Sequence, residues 1–365
     1  MVKKDQSIFF IQILCALLIV NYHTSILDIP YLNSIAKGGF VLNTDFVFLS
    51  GYLLSLSFSK SNGSNFFFFI KKRLRRIYPS FIIVLIITFV YCLIASKEVL
   101  ALNYLKWFTG FGYFFSDNEI FSNSHLWFVS VILVCYILFI PSYRLLEKRP
   151  FLLFTILTSI ILLYNYYFTL DPYQFYSNIT GYKILRLIYH YLIFLIAIYR
   201  QQKNINIKTS SYKRILIFIS CYIGYVYFKD SSVYSGLALI FVLGVTLSFI
   251  PILYNLSSFV QNKIPILFQL SSIPYELYLI HNLVIFALND YYHGNILAYP
   301  LTFIISIPLA FLINRISSTT TEVLARITQV PKLSDSFKGQ SRWVERSHPF
   351  IPISILSLLR IHIRR

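Results

Sequence analysis

The sequence predicts an all-α, polytopic membrane bundle of about ten transmembrane helices, with both termini in the cytoplasm. Three observations predict it. Hydrophobic residues make up 57% of the 365-residue chain and charged residues 13%, about half the charged share usual in soluble domains. Apolar runs of the length a bilayer-spanning helix needs, about 20 residues, recur along most of the chain. Lys and Arg are distributed unevenly between alternate connecting segments, the pattern that sets membrane orientation.

The elements follow in order. The first run, 8–27, shows no small-residue cleavage pattern and reads as a span rather than a removable signal. The second, 38–58, carries Ser50-Gly51, suited either to close helix packing or to the approach of a ligand to the backbone. A basic connection, 59–76, precedes the third span, 77–96. Residues 99–115 are aromatic and read as interfacial. The remaining spans are 124–143, 151–170, 181–199, 213–229, 233–254, 266–288 and 297–316. Cys15, Cys92, Cys135 and Cys221 fall inside apolar stretches and never pair at metal-ligand spacing, so they read as small buried hydrophobes. Residues 1–317 thus form a membrane domain. Residues 318–365 form a cytoplasmic tail, partly disordered or interfacial, whose last apolar run is too short to span.

With the N-terminus inside, the cytoplasmic segments carry 26 of the 32 Lys and Arg, and the outer segments carry only six: Lys37, Lys97, Lys106, Lys183, Arg186 and Lys229. This bias favours the N-in, C-in arrangement. It also explains the net charge of +18 through contact with anionic lipid headgroups, without nucleic acid as a partner.

Ionisable side chains inside spans are costly and mark function. His23 lies about 23 Å along the first span, at a depth open to a water-filled cavity, and neutral imidazole suits a general base. Asp45 sits in the outer half of the second span and His125 opens the fourth. Glu276 and His281 lie in the ninth, where Tyr278 shares a face with His281. Three histidines and two carboxylates are therefore expected to gather between the midplane and the outer face. Ordinary interhelical hydrogen bonding is the competing reading for Asp45, His125 and Glu276. His190 reads as a satisfied packing histidine. His293, His348 and His362 fall in a loop or the tail and carry no chemical argument.

Five ordered stretches give the chain a likeness. They are "VNYH" in the first span, "FVFLSGYLL" in the second, "KKRLRRIYP" before the third, "HLWF" opening another, and "YELYLIH" near the end. In order and spacing they cover about residues 1–290. On them the chain resembles the membrane acyltransferase-3 family, polytopic enzymes that acylate, mostly O-acetylate, cell-surface glycans. Two departures stand out. Gln12 occupies the position of the family's arginine eleven residues before the histidine. Thr44 aligns with a family acidic residue, with Asp45 adjacent.

The resemblance implies an acyl-CoA donor, acetyl-CoA first, entering from the cytoplasm, and a sugar hydroxyl of a surface or lipid-linked glycan as acceptor. It implies an inner or plasma membrane location and no metal. Arg73 and Arg76 would hold the CoA phosphates. His23 would be the base, with His281 and Tyr278 as further catalytic groups. Asp45, His125, Trp127 and Glu276 would contact the acceptor. A polytopic glycan polymerase or flippase without acyl-CoA chemistry is the rival reading.

Overall fold

The structure, a computed structural model, describes residues 6–24, 39–60, 66–97, 101–115, 124–170, 179–205, 212–228, 235–260, 269–292 and 298–327. The chain divides into two units, Met1–Glu322 and Val323–Arg365. The helices are α1 (Gln6–Thr24), α2 (Gly39–Ser59), α3 (Phe66–Ile94), α4 (Ala101–Phe108), α5 (Gly112–Phe115), α6 (Trp127–Lys148), α7 (Pro150–Leu170), α8 (Ile179–Gln202), α9 (Tyr212–Phe228), α10 (Ser235–Val260), α11 (Pro274–Tyr292) and α12 (Ala298–Ile327). There is no strand among the described residues, so the fold is an all-α membrane bundle.

Each span expected from the sequence overlaps a helix, the ninth, expected at 266–288, with a helix that starts only at Pro274. Seven of these helices, α1, α2, α3, α6, α8, α10 and α12, are long and apolar enough to cross a bilayer. Helices α7, α9 and α11 occupy the other three expected positions and fall short of that measure among the described residues. The aromatic stretch 99–115 forms the short helices α4 and α5. His293, His348, His362 and the tail beyond Ile327 lie outside the described residues.

Contacts between helix ends fix how neighbours run. Ser55 near the end of α2 bonds Gln201 at the end of α8 at 2.5 Å, and Phe58 packs on Phe69 in the first turn of α3 at 6.0 Å. Gln202 donates to the Tyr143 carbonyl near the end of α6 at 2.9 Å. One end of the bundle thus gathers the C-terminal ends of α2, α6 and α8 and the start of α3. At the far end of α3, Tyr91 donates to Asp290 of α11 at 2.6 Å and Lys97 pairs with the same carboxylate at 3.1 Å. Helices α3 and α11 therefore run parallel.

The outer surface is apolar. Ile86, Val90 and Leu93 of α3, Phe151 and Leu163 of α7, and Ile215, Leu216, Ile219 and Ile223 of α9 are all exposed. A surface of this kind belongs in lipid.

One boundary is corrected. The basic stretch expected as a connection up to residue 76 is helical from Phe66 onward. Lys, Arg and Leu are good helix formers, and a helix internally satisfies its backbone as it enters the membrane. Pro79 inside α3 removes the N–H that would bond the Arg75 carbonyl. The Thr321 hydroxyl of α12, which bonds Ser317 O in its own helix at 2.8 Å, also lies 3.1 Å from Arg75 O and shares its proton with that carbonyl. Helix α12 also runs past the expected end of the tenth span at 316, to Ile327.

The Ser50-Gly51 pair is a packing site. A Cβ on Gly51 would lie 2.7 Å from the Phe194 backbone oxygen and 3.2 Å from Ala197 Cβ, so α2 and α8 cross where only glycine fits. Gly51→Val is expected to destabilise the bundle by about 1–3 kcal/mol. Thermal unfolding of purified protein in detergent measures this, and an unchanged midpoint would contradict the crossing.

Candidate functional site

Helix α11 carries the stripe on which the site is built. It opens at Pro274, whose missing N–H is harmless at a helix start. Tyr278, His281 and Asn282 then follow at spacings of three and four, on one face. Opposite them is His125, in the 3₁₀ turn Ser124–Leu126 before α6.

His125 is held from three directions by α11. Its Nε2 lies 2.9 Å from the Leu279 carbonyl, an acceptor, so Nε2 carries the proton. Its Nδ1 lies 3.1 Å from Asn282 Nδ2 and accepts from that amide. The Tyr278 hydroxyl donates to the His125 backbone carbonyl. Both ring nitrogens of His125 are thereby engaged, and the residue braces α6 against α11.

His281 differs. Its Nδ1 lies 2.6 Å from the Tyr278 carbonyl, so Nδ1 carries the proton and Nε2 holds the lone pair. That Nε2 is buried and meets no partner among the described residues. The His281 ring is 5.0 Å from His125 and 5.2 Å from His23, centroid to centroid. His23 stands in the last turn of α1. It is exposed, and Tyr22 packs edge-on against it at 4.9 Å. The arrangement is thus an accessible imidazole beside a buried one, with a third imidazole locked behind.

The three histidines and Tyr278 converge as expected, but the two carboxylates do not join them. Asp45 is fully buried in α2, where Cys15, Thr246 and Tyr189 surround it, beside a Thr44–Thr246 hydroxyl contact of 2.5 Å. Glu276 lies in the first turn of α11, accepts from Ser80 at 2.9 Å and faces Arg76. It sits five residues from His281, about 140° around the helix and about 7 Å along it. Depth along a span does not fix direction around it, and both carboxylates point elsewhere.

Trp127 turns toward α8. The Arg186 guanidinium stacks over its ring at 4.4 Å, His190 meets it edge-on at 5.1 Å, and Tyr113 lies at 6.1 Å. Arg186 also acts electrostatically on Tyr278, so this cation–aromatic wall adjoins the histidines. His190 Nδ1 bonds the Arg186 carbonyl at 2.7 Å within its own helix. Asn282 and Arg186 were not singled out by the sequence reading. Asn282 bears no charge, and Arg186 was counted with the outer-loop cations. The i, i+4 spacing of Tyr278 and Asn282 was the available signal.

Arg73 and Arg76 lie in the early turns of α3 and share a face. Arg73 is half-buried, stacked over Phe69 at 5.4 Å and close to Tyr136 of α6. Its Nε is buried and meets no acceptor among the described residues. Arg76 is exposed, as are Lys71 and Lys72. Four residues separate Arg76 from Ser80, which bonds Glu276, and five more reach His281. Arg76 and His281 are therefore about 13 Å apart along the bundle, and Arg73 lies about 18 Å from His281.

Among the described residues no group of His, Cys, Asp and Glu has the arrangement of a metal site. His125, with both ring nitrogens engaged, has no lone pair left to give one.

No curated protein and no solved structure matches the chain. The family model described as an acyltransferase domain, of the acyltransferase-3 type, matches residues 5–315. That stretch contains α1 through most of α12, His23, His125 and His281, and Arg73 and Arg76 of α3. The chain is a multi-pass membrane protein and belongs to the acyltransferase-3 family.

Proposed function

We propose that the protein transfers an acyl group, acetyl in the first instance, from cytoplasmic acyl-CoA to a hydroxyl of a surface or lipid-linked glycan. The observation that carries this reading is the pairing of accessible His23 with His281, about 13 Å along the bundle from Arg76, one turn beyond which lies the half-buried Arg73. Arg73 and Arg76 take CoA phosphates as bidentate forks. A pantetheine arm has about the chain length of four residues, roughly 13–14 Å when extended. It therefore brings the thioester to the level of the histidines.

His23 takes the proton of the sugar hydroxyl as its oxygen attacks the thioester carbonyl. The tetrahedral intermediate collapses, the C–S bond breaks, and the CoA thiolate leaves with the proton that His23 returns. His281 is a positioning residue. Its Nε2 lone pair, unfilled in the structure, would accept a ring N–H of His23 when the acceptor hydroxyl is bound, and so turn the other His23 nitrogen toward that hydroxyl. His125 and Tyr278 hold this pair in place, and Trp127 with Arg186 borders the acceptor side. The donor enters from the cytoplasm, and the inner or plasma membrane is the location this requires.

His281→Gln is expected to lower kcat about tenfold or more, with KM for acyl-CoA unchanged, because a positioning residue acts after binding. Equal kcat would remove His281 from the mechanism. The function itself is tested by mass analysis of surface polysaccharide from a deletion strain. Loss of one acyl ester from the repeat unit is expected. An unaltered polysaccharide would overturn the assignment.

A further inference from the structure

The end of α8 and the start of α9 bring together Arg200 and Arg214, half-buried guanidiniums close enough to interact electrostatically. Arg200 Nε and Arg214 Nη1 are buried and meet no acceptor among the described residues. Buried donors on a charged group are ordinarily paired, because leaving them unmade is costly. Helices α8 and α9 contain no Asp or Glu, and Glu147 at the nearby end of α6 is engaged with Tyr143.

Two further features bear on the pair. Helix α9 opens with Lys213 and Arg214 in its first turn, where the helix dipole favours an anion. The last turn of α8 is held in place by the Ser55–Gln201 bond at 2.5 Å and the Gln202–Tyr143 bond at 2.9 Å. Topology-setting arginines reach singly into water. That role does not account for two neighbouring guanidiniums with buried donors unfilled.

We infer that Arg200 and Arg214 form a phosphate-binding site, taking a phosphomonoester or phosphodiester group in their combined forks. Two sources share this chemistry. One is the headgroup of an anionic phospholipid lying against the exposed Ile215, Leu216, Ile219 and Ile223 of α9. The other is the 3′-phosphate of CoA, and only this second source rests on the acyl-CoA reading.

The test uses purified full-length protein and two binding measurements, neither of which requires acyl transfer. One compares retention of phosphatidylglycerol with phosphatidylcholine in mixed-lipid nanodiscs. The other compares the affinity for CoA with that for 3′-dephospho-CoA. Wild type is expected to prefer the anionic partner in one of them. Arg200→Gln with Arg214→Gln should reduce that preference about tenfold or more. Loss in the lipid arm identifies a headgroup, and loss in the CoA arm identifies the nucleotide. If the double variant does not fold, Arg214→Lys, which keeps the charge and removes the fork, carries the same comparison with a several-fold loss expected. Preferences unchanged in both arms overturn the site.

Discussion

Replacing His23 with alanine is expected to lower acyl transfer by about 10²–10⁴-fold while membrane insertion and CoA binding stay as in wild type. His23 is the accessible member of the histidine group. His125 has both ring nitrogens committed to α11, and His281 is buried with one nitrogen committed to the Tyr278 carbonyl. Only His23 combines access with a ring that can both take and return a proton. The substitution removes an exposed side chain at the end of α1, so the packing of the bundle is little disturbed. Transfer is read in isolated membranes at matched expression, and CoA binding on purified protein. Wild-type transfer by the alanine variant would move the base elsewhere.

The second large effect is on the donor. Arg73→Ala together with Arg76→Ala is expected to weaken CoA binding by roughly 10²-fold, since each charge-assisted phosphate contact is worth about 1.5–3 kcal/mol. Lys71→Ala with Lys72→Ala should change affinity little, because both lysines are exposed and unstacked while Arg73 is held over Phe69 beside Tyr136. Of the two arginines, Arg73 should matter more, as its buried Nε–H has no acceptor until a ligand supplies one. Titration calorimetry with CoA separates the pairs. An equal loss from lysine and arginine variants would indicate a diffuse electrostatic effect in place of a site.

Much of the helix plan was legible because apolar length and the alternation of basic segments are one-dimensional signals. The start of α3 was not legible, since "FIKKRLRR" has the charge of a connection although its Lys, Arg and Leu are good helix formers. Among the site residues, depth estimates brought His23, His125, His281 and Tyr278 to one level, and the structure joins them. The same estimates misplaced Asp45 and Glu276, whose directions around their helices turn them to Thr246 and to Ser80. Asn282 escaped notice because a neutral amide raises no alarm in an apolar run, yet it engages the second ring nitrogen of His125.

Gln12 gains a physical place as well. It lies eleven residues before His23, about three turns and 16 Å down the same face of α1, toward the bundle end that carries Arg73. A cation there would act on the donor's path rather than on the imidazole. Gln12→Arg is accordingly expected to lower KM for acyl-CoA and to leave kcat unchanged.

The central claim, acyl transfer through His23 from CoA to a glycan hydroxyl, is tested most directly by label transfer. Membrane vesicles carrying the protein are incubated with acetyl-radiolabelled acetyl-CoA and their own glycan, and the glycan is then extracted. Wild-type vesicles should incorporate label that mild alkali releases, as an ester requires, and His23→Ala vesicles should incorporate almost none. If neither wild type nor Gln12→Arg labels any glycan while both bind CoA, the claim is contradicted.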